Sequence, residues 1–429
     1  MKKCKYGLIG EKLGHSFSKI LHNEFDNYEY DILEIPRDEV DEFFKKADFL
    51  AINVTIPYKE TAMKYCIVDE TAKAIGAVNT VVNKQGRLYG YNTDYLGFEY
   101  MVRSAGIAFD DKDIVILGSG GTSKTACFAS HRLGARSVTI VSREKREYDT
   151  SVTIPVKFTT YADEDSYKNA QILINTTPVG MSPNNEAEPI DIEVFESLEG
   201  VVDVIYNPLM TRLVSKARDK GIKAVNGLPM LVAQGWYAER LFFDLSTDMG
   251  KAEKESVDTV YRKILGMKQN IVFVGMPGCG KSTQGKILSK ELGRDLIDTD
   301  SVFLEKYGIK AGDYITQYSE EEFRVKESEV IKEVCRNNGV IIATGGGSIL
   351  RSENREAMES NGYIIYLSQD PEKLSQRGRP LSQNGGIKKL YEVRKPIYES
   401  IADTKIEVSD SIEETAKKIR GLIHENFGN

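Results

Sequence analysis

The sequence predicts an α/β protein with parallel sheets, in two successive parts. Short apolar runs of strand length alternate with charged stretches of helical spacing along most of the chain. Two of these runs, residues 114–117 and 271–274, lead directly into glycine-rich loops. At 429 residues the chain is too long for a single core, so two to three domains are expected.

From the N-terminus, residues 5–9, 51–56 and 77–82 are rich in Val, Ile and Ala and read as strands. Residues 18–25 and 40–46 place apolar side chains at helical spacing. Between 113 and 230 the strand–helix rhythm is regular, with strands expected at 114–117, 137–141, 172–175, 201–205 and 223–225. Such a rhythm predicts a parallel sheet covered by helices on both faces. Residues 228–267 have helical spacing and almost no strand signal. Gly266-Met267-Lys268-Gln269-Asn270 then precedes a fresh strand, and the main boundary is placed there. Residues 271–429 alternate again, with further buried strands at 340–343 and 363–367. There is no internal repeat and no low-complexity tract.

Composition narrows the function. Hydrophobic residues at 41% and charged residues at 28% are ordinary for a soluble globular protein. A net charge of -7 argues against nucleic acid or an anionic membrane as partner, so anionic small molecules must be held by local Arg and Lys. Cys4, Cys66, Cys127, Cys279 and Cys335 form no CxxC pair and read as reduced thiols. The first ten residues look like a strand and not a signal peptide, and no run is long enough for a membrane helix. A soluble, cytoplasmic protein acting on small molecules is expected, with monomer and homodimer both open.

The two glycine loops imply two nucleotide chemistries. Gly118-Ser119-Gly120-Gly121-Thr122 follows a strand and precedes a helix, as a dinucleotide pyrophosphate loop does. The next strand ends at Ser142-Arg143, where an NAD site would usually place an acidic residue on the ribose. Arg143 suits a 2′-phosphate instead, so NADP(H) is favoured. Gly275-Met276-Pro277-Gly278-Cys279-Gly280-Lys281-Ser282 is a complete phosphate loop for a nucleoside triphosphate. Backbone N–H groups around Gly278 and Gly280, and the helix start at Lys281, Ser282 and Thr283, would bind the phosphates of ATP. Lys281 would reach the β- and γ-phosphates and the Ser282 hydroxyl would ligate Mg²⁺.

Over residues 1–266 the motifs resemble shikimate dehydrogenase. They are Gly14-His15-Ser16-Phe17-Ser18, Asn53-Val54-Thr55-Ile56-Pro57-Tyr58-Lys59, Gly76-Ala77-Val78-Asn79-Thr80 and Gly90-Tyr91-Asn92-Thr93-Asp94. Asn175-Thr176-Thr177-Pro178-Val179-Gly180-Met181, Asp203-Val204-Ile205-Tyr206-Asn207-Pro208 and Gly227-Leu228-Pro229-Met230-Leu231, leading to Gln234, complete the set. The resemblance implies a substrate domain (1–100 and 230–266) and a Rossmann NADP domain (101–229). It implies that Ser16 and Ser18 hold a carboxylate, and that Lys59 and Asp94 are catalytic. Ketone reduction needs a proton at the developing alkoxide, which Lys59 can supply while Asp94 orients it. Thr55, Asn79 and Gln234 suit a polyol's hydroxyls, and Gly227 belongs to the cofactor side. Lys19 stands where the family usually has Pro.

Residues 271–420 resemble shikimate kinase, a P-loop fold with a parallel sheet like that of nucleoside-monophosphate kinases. In Asp298-Thr299-Asp300, the resemblance directs Asp298 toward Mg²⁺ and Asp300 toward the acceptor hydroxyl as base. Arg324, with Glu327, and Arg394, followed by Pro396 and Tyr398, would bind the substrate carboxylate. Thr344-Gly345-Gly346-Gly347-Ser348 would bring backbone to the acceptor ring, with Gly346 and Gly347 as contacts. Arg379 in Arg379-Pro380-Leu381 would cover the transferring phosphoryl group, and Arg377 would face the adenine or ribose. Residues 375–379 form a shorter lid than that family's, which implies less complete closure. Both halves point to one metabolite: a bifunctional enzyme that makes shikimate and phosphorylates it. A non-catalytic sensor on the same domains, and a dehydrogenase that also uses quinate, are the alternatives.

Overall fold

The computed structural model describes residues 5–13, 17–26, 28–148, 152–374 and 386–427. The chain divides into two compact units, Met1–Tyr206 with Thr211–Tyr261, and Asn207–Met210 with Arg262–Asn429.

The first unit holds two six-stranded sheets. The first is formed by β1 (Tyr6–Gly10), β2 (Tyr30–Glu34), β3 (Ala51–Val54), β4 (Ile67–Val68), β5 (Thr80–Lys84) and β6 (Arg87–Tyr91), in the order β2-β1-β3-β5-β6-β4. It is mixed: β1 runs parallel to β2 and β3, whereas β5 runs antiparallel to β3 and β6. The β5–β6 hairpin turns through Gln85 (φ 55°) and Gly86 (φ 85°), the two left-handed residues of a twist-matched two-residue loop.

Three strands differ from the sequence expectation by two residues or more at one end at least. The strand expected at 51–56 ends at Val54, because Tyr58 N–H turns back to Thr55 O and Pro57 has no N–H to offer. The one expected at 77–82 starts at Thr80. The one expected at 201–205 ends at Asp203, whose own carboxylate takes the Ile205 N–H in place of a neighbouring strand. Sequence reading also passed over β2, β4 and β6.

The second sheet is wholly parallel. It comprises β7 (Asp113–Leu117), β8 (Ser137–Ser142), β9 (Val156–Thr160), β10 (Ile172–Asn175), β11 (Gly200–Asp203) and β12 (Lys223–Val225), in the order β12-β11-β10-β7-β8-β9. Strand order reverses between β7 and β10, which opens a crevice at their carboxyl ends. Leu117 is in register with both Asn175 and Val141, so the loops after these three strands meet there. Ile114 to Leu117 and Ile172 to Ile174 are almost fully buried, as a sheet covered on both faces requires.

The second unit has one parallel sheet, β14-β15-β13-β16-β17, from β13 (Asn270–Val274), β14 (Leu296–Asp298), β15 (Ile341–Ala343), β16 (Gly362–Ser368) and β17 (Thr404–Glu407). The central strand β13 carries the triphosphate-type loop, and its five residues are all buried. Among the described residues no helix is long and apolar enough to cross a membrane.

Candidate active sites

In the first unit a cavity of about 620 Å³ is lined by Thr55, Lys59, Asn79, Asp94 and Gln234, and also by Thr122, Tyr206 and Gly227. Residues expected on the substrate and cofactor sides thus share one cleft. Lys59 opens the short helix Lys59–Ala62, and its backbone is pinned by Val78 N–H on Lys59 O (3.0 Å). Asp94 opens the helix Asp94–Ser104. Lys59 Nζ meets Asp94 Oδ2 at 2.5 Å, with the two side chains 25% and 15% exposed, an ion pair sheltered yet reachable. Asn79 Nδ2 donates to Asp94 Oδ1 (2.9 Å) and to Thr93 Oγ1 (3.1 Å), while Asn79 Oδ1 accepts from Thr93 N–H (2.7 Å) and Thr80 Oγ1 (3.1 Å). The Asn79 amide is therefore fully committed within the protein, so a contact with a substrate hydroxyl would replace one of these bonds. Gln234 Nε2 rests on Leu231 O (3.0 Å). Ser18 begins the helix Ser18–Phe25 and lines the cleft. Ser16 lies outside the described residues.

The dinucleotide loop follows β7. The helix Gly121–Arg132 begins at Gly120 without a side-chain cap, and a Cβ on Gly120 or Gly121 would meet nothing within 4 Å. Backbone N–H groups therefore face open space at the positive end of a helix, a cradle suited to a pyrophosphate. Gly118 has φ 101°, and a Cβ there would lie 2.9 Å from Thr176 Oγ1. Beneath the loop lies a network that the sequence reading did not foresee. Asp203 accepts from Asn175 Nδ2 (3.1 Å), Ile205 N–H (3.1 Å) and Thr211 Oγ1 (2.7 Å), tying three loops together. Burial pushes the Asp203 carboxyl up to about 6, against the lowering effect of those three donors. At Gly227 a Cβ would fall 2.0 Å from Val204 O, so only glycine allows this backbone crossing. The Ser142 hydroxyl is used locally, donating to Glu144 O (2.6 Å). Glu144 pairs with Arg146 and Glu147 with Lys145, whereas Arg143 is exposed and has no ion pair among the described residues.

In the second unit a cavity of about 240 Å³ is lined by Gly278, Gly280, Lys281, Ser282, Thr283, Asp298, Asp300 and Gly346. Gly280 (φ 97°) starts the helix Lys281–Leu292 without a side-chain cap, leaving its first N–H groups for an anion. Lys281 Nζ donates to Gly275 O (2.8 Å) and Met276 O (3.0 Å), so its charge is held over the loop. Ser282 Oγ donates to Asp298 Oδ2 at 2.5 Å, while Asp298 Oδ1 caps the helix Thr299–Tyr307 through Asp300 N–H and Ser301 N–H. No group of three or more His, Cys, Asp or Glu side chains suited to a metal occurs among the described residues. The Ser282–Asp298 oxygen pair fits a hard cation that takes its other ligands from phosphate and water, as Mg²⁺ does.

Arg324, expected on the acceptor side, is 8% exposed. Its Nη1 pairs with Glu327 (2.7 Å) and its Nη2 with Glu320 (2.9 Å), while the buried Nε has no partner among the described residues. Glu320 was missed from sequence, although a carboxylate four residues before an Arg on a helix is a readable signal. Glu327 also accepts from Ser348 Oγ (2.9 Å). Arg394 Nη1 donates to Gly346 O (3.1 Å), and the Tyr398 hydroxyl donates to the same oxygen. Both arginines therefore flank the Gly345–Gly347 turn. A Cβ on Gly347 would lie 2.4 Å from the Arg324 guanidinium. Arg377, Arg379 and the lid expected around them lie outside the described residues.

Comparison with known proteins agrees with this division. The shikimate dehydrogenase substrate-binding domain model matches residues 8–81, and the shikimate kinase model matches residues 277–423. An NADP(+) shikimate dehydrogenase of Clostridium perfringens (strain SM101 / Type A) is 35% identical over 269 residues, covering 60% of this chain and 97% of that protein. One from Caldicellulosiruptor bescii is 39% identical over 262 residues, covering 56% and 90%. Among solved structures, a chorismate mutase/shikimate 5-dehydrogenase fusion from Clostridium acetobutylicum superposes with TM-score 0.54 at 34% identity, covering 62% of this chain and 97% of that one. The Thermus thermophilus shikimate 5-dehydrogenase in complex with NADP(H) and shikimate gives TM-score 0.53 at 30% identity, covering 60% and 98%. The chain belongs to the shikimate dehydrogenase family and carries a shikimate kinase domain behind it, which makes it a bifunctional shikimate-pathway enzyme.

Proposed function

We propose that the first unit reduces 3-dehydroshikimate to shikimate and the second phosphorylates shikimate at its 3-hydroxyl, so that one reaction's product is the other's substrate. The observation that carries the first step is the sheltered Lys59–Asp94 pair in a cleft shared with the cofactor-side residues Thr122 and Gly227. NADPH supplies the hydride, with its pyrophosphate at Gly118, Gly120, Gly121 and Thr122 and its 2′-phosphate at Arg143 and Ser142. Lys59 delivers the proton to the developing alkoxide, and Asp94 fixes the ammonium and takes a substrate hydroxyl. Thr55, Asn79 and Gln234 face the remaining hydroxyls, and Ser16 and Ser18 the carboxylate.

In the second unit Arg324 and Arg394 hold the carboxylate of shikimate at the Gly346–Gly347 turn, and Asp300 accepts the proton of the attacking hydroxyl. Gly278, Gly280, Lys281 and Thr283 hold the phosphates of ATP. Ser282 and Asp298 hold Mg²⁺, whose chemistry is to neutralise charge on the transferred group. Arg379 covers that group from the lid.

The test is a coupled assay on the whole chain with 3-dehydroshikimate, NADPH, ATP and Mg²⁺, following NADPH loss and ADP formation. ADP is expected only when NADPH or added shikimate is present. NADPH loss with no ADP from added shikimate would refute the kinase half, and no NADPH loss would refute the dehydrogenase half.

A further inference from the structure

Beside the Lys59–Asp94 pair runs a buried line of hydrogen bonds, two of whose members, Asn53 and Asn79, also line the cleft. The Tyr30 hydroxyl donates to Asn53 Oδ1 (2.8 Å), and Asn53 Nδ2 donates to Thr80 Oγ1 (3.2 Å). Thr80 Oγ1 donates to Asn79 Oδ1 (3.1 Å), and Asn79 Nδ2 donates to Asp94 Oδ1 (2.9 Å). Tyr30 and Thr80 are fully buried, Asn53 is 5% exposed and Asn79 is 3% exposed.

The direction of this line is set by two backbone groups that have only one role each. Thr93 N–H can only donate, and at 2.7 Å it fixes the facing Asn79 atom as Oδ1. Asn79 Nδ2 must then point at Asp94, donating to Oδ1 while Lys59 holds Oδ2. The carbonyl of Asn79 can only accept, and it faces Asn53 Nδ2 (3.4 Å), which leaves Asn53 Oδ1 for Tyr30. Beyond Tyr30 the line is closed by His22, whose ring stacks on Tyr30 with centroids 4.1 Å apart. Burial pushes His22 down to about 3, against the raising effect of its bond to Asn53, so the ring stays neutral and adds no charge. A run of donors all pointing the same way in a buried setting polarises successive bonds in one sense.

We infer that Thr80, with Asn53 and Tyr30 behind it, is a positioning residue for the reductase: beside Thr93 N–H, it helps to hold the Asn79 amide in the orientation that aligns Asp94, and through Asp94 the Lys59 ammonium. This inference rests on the assignment of Lys59 and Asp94 to the chemical step. Thr80 lies outside the residues lining the cleft; its hydroxyl reaches Asn79 Oδ1 (3.1 Å) and Thr93 Oγ1 (3.2 Å), itself a partner of Asn79.

The experiment compares Thr80→Val, Thr80→Ser and Lys59→Ala in the full chain. Valine keeps the shape and removes the hydroxyl, leaving Asn53 Nδ2 without its nearer acceptor and Asn79 Oδ1 with one donor fewer, Thr93 N–H (2.7 Å) and Thr93 Oγ1 (3.3 Å) remaining. Thr80→Val should lower reductase kcat by about 10-fold, the effect of one lost buried hydrogen bond on the transition state, with KM for 3-dehydroshikimate and NADPH within about 2-fold. Thr80→Ser should restore kcat to within about 2-fold of wild type. Wild-type kcat in Thr80→Val overturns the inference. So does a loss spread over kcat and both KM values, or one that serine does not rescue, because either marks a packing role alone. Tyr30→Phe removes the outer donor without changing shape, and it should lower kcat in the same sense by a smaller factor. If Lys59→Ala retains turnover, the underlying assignment fails; if only Lys59→Ala is inactive, the assignment stands and the inference about Thr80 falls.

Discussion

Gly347→Ala tests the acceptor pocket of the kinase with a single methyl group. Gly347 has φ -104° and ψ -2°, a conformation alanine adopts freely, so backbone strain does not enter. The methyl carbon would stand 2.4 Å from Arg324 Nη1 and Nη2 and 2.6 Å from Cζ, about 1 Å inside ordinary contact. The guanidinium is the tip of a flexible side chain, so it can withdraw, but it is tied at 2.7 Å to Glu327 and at 2.9 Å to Glu320. Withdrawal by about 1 Å stretches one of these bonds past hydrogen-bonding range and moves the guanidinium from where a carboxylate would meet it. Loss of one charge-assisted bond is worth roughly 1.5–3 kcal/mol, or about 10- to 150-fold in binding. Gly347→Ala should raise the kinase KM for shikimate by that factor, leaving KM for ATP within about 2-fold. Reductase activity in the same preparation should be unchanged, since its site is built from other residues. In an Arg324→Gln background the methyl group has no guanidinium to displace, and Gly347→Ala should add less than about 2-fold. A wild-type KM for shikimate in Gly347→Ala would refute the reasoning, and so would full additivity with Arg324→Gln.

Arg143→Asp should raise KM for NADPH by about 10-fold or more and change KM for NADH by less than about 2-fold, read from initial rates with each cofactor; an unchanged ratio would count against Arg143. Gly227→Ala places a methyl carbon 2.0 Å from the backbone oxygen of Val204, which cannot withdraw as a side chain does. It should cost about 2–3 kcal/mol of stability in denaturant unfolding and raise KM for NADPH, with kinase rates unaltered. Asp203→Asn tests a pH effect. The folded carboxyl titrates near 6 against 3.8 unfolded, so the native state binds this proton more tightly and loses stability as pH rises from about 4 to about 6. Asparagine escapes that loss, so unfolding at pH 4 and pH 7 should show its stability relative to wild type improving by up to about 3 kcal/mol at the higher pH. A difference that does not change with pH would mean that Asp203 is not buried as an acid of raised affinity.

Much of this was legible in the sequence because the nucleotide loops and the parallel strands obey local rules. Residues 114–117 and 271–274 are continuous apolar runs that end in glycines, and each becomes a central strand feeding a helix start. The helices Ser18–Phe25 and Val40–Lys46 have the limits that their apolar spacing gives. β2, β4, β6, β9 and β17 were not read: Ile67–Val68 is two residues long, and Arg87–Tyr91 pairs within a hairpin whose turn, Gln85-Gly86, is not among the strongest turn signals. Of the residues singled out from long motifs, Lys59 and Asp94 line one cavity and Lys281 the other. Asp203 was quoted only as part of a motif, and Glu320, Tyr30 and Thr80 had no role assigned. Several of their partners are more than 20 residues away, as Asn53 is from Tyr30 and Thr80 and Asn175 is from Asp203, and a chain of single letters shows no such pairing.

The charge of the acceptor pocket follows from what the sequence hides. Arg324 alone would be a plain cationic anchor, yet Glu320 and Glu327 both pair with it, so the three side chains together carry one net negative charge. A carboxylate entering against that sum would be repelled, and the buried Arg324 would be no anchor at all. Arg394 offsets that negative charge: it is 4% exposed and is held on Gly346 O, at the same turn. The carboxylates therefore fix the geometry of Arg324, and under the proposed function Arg394 would supply the charge that an acid needs. In a chain of net charge -7 this balance cannot be left to the long-range field. It has to be made within a few ångströms, by burying two cations around one glycine turn.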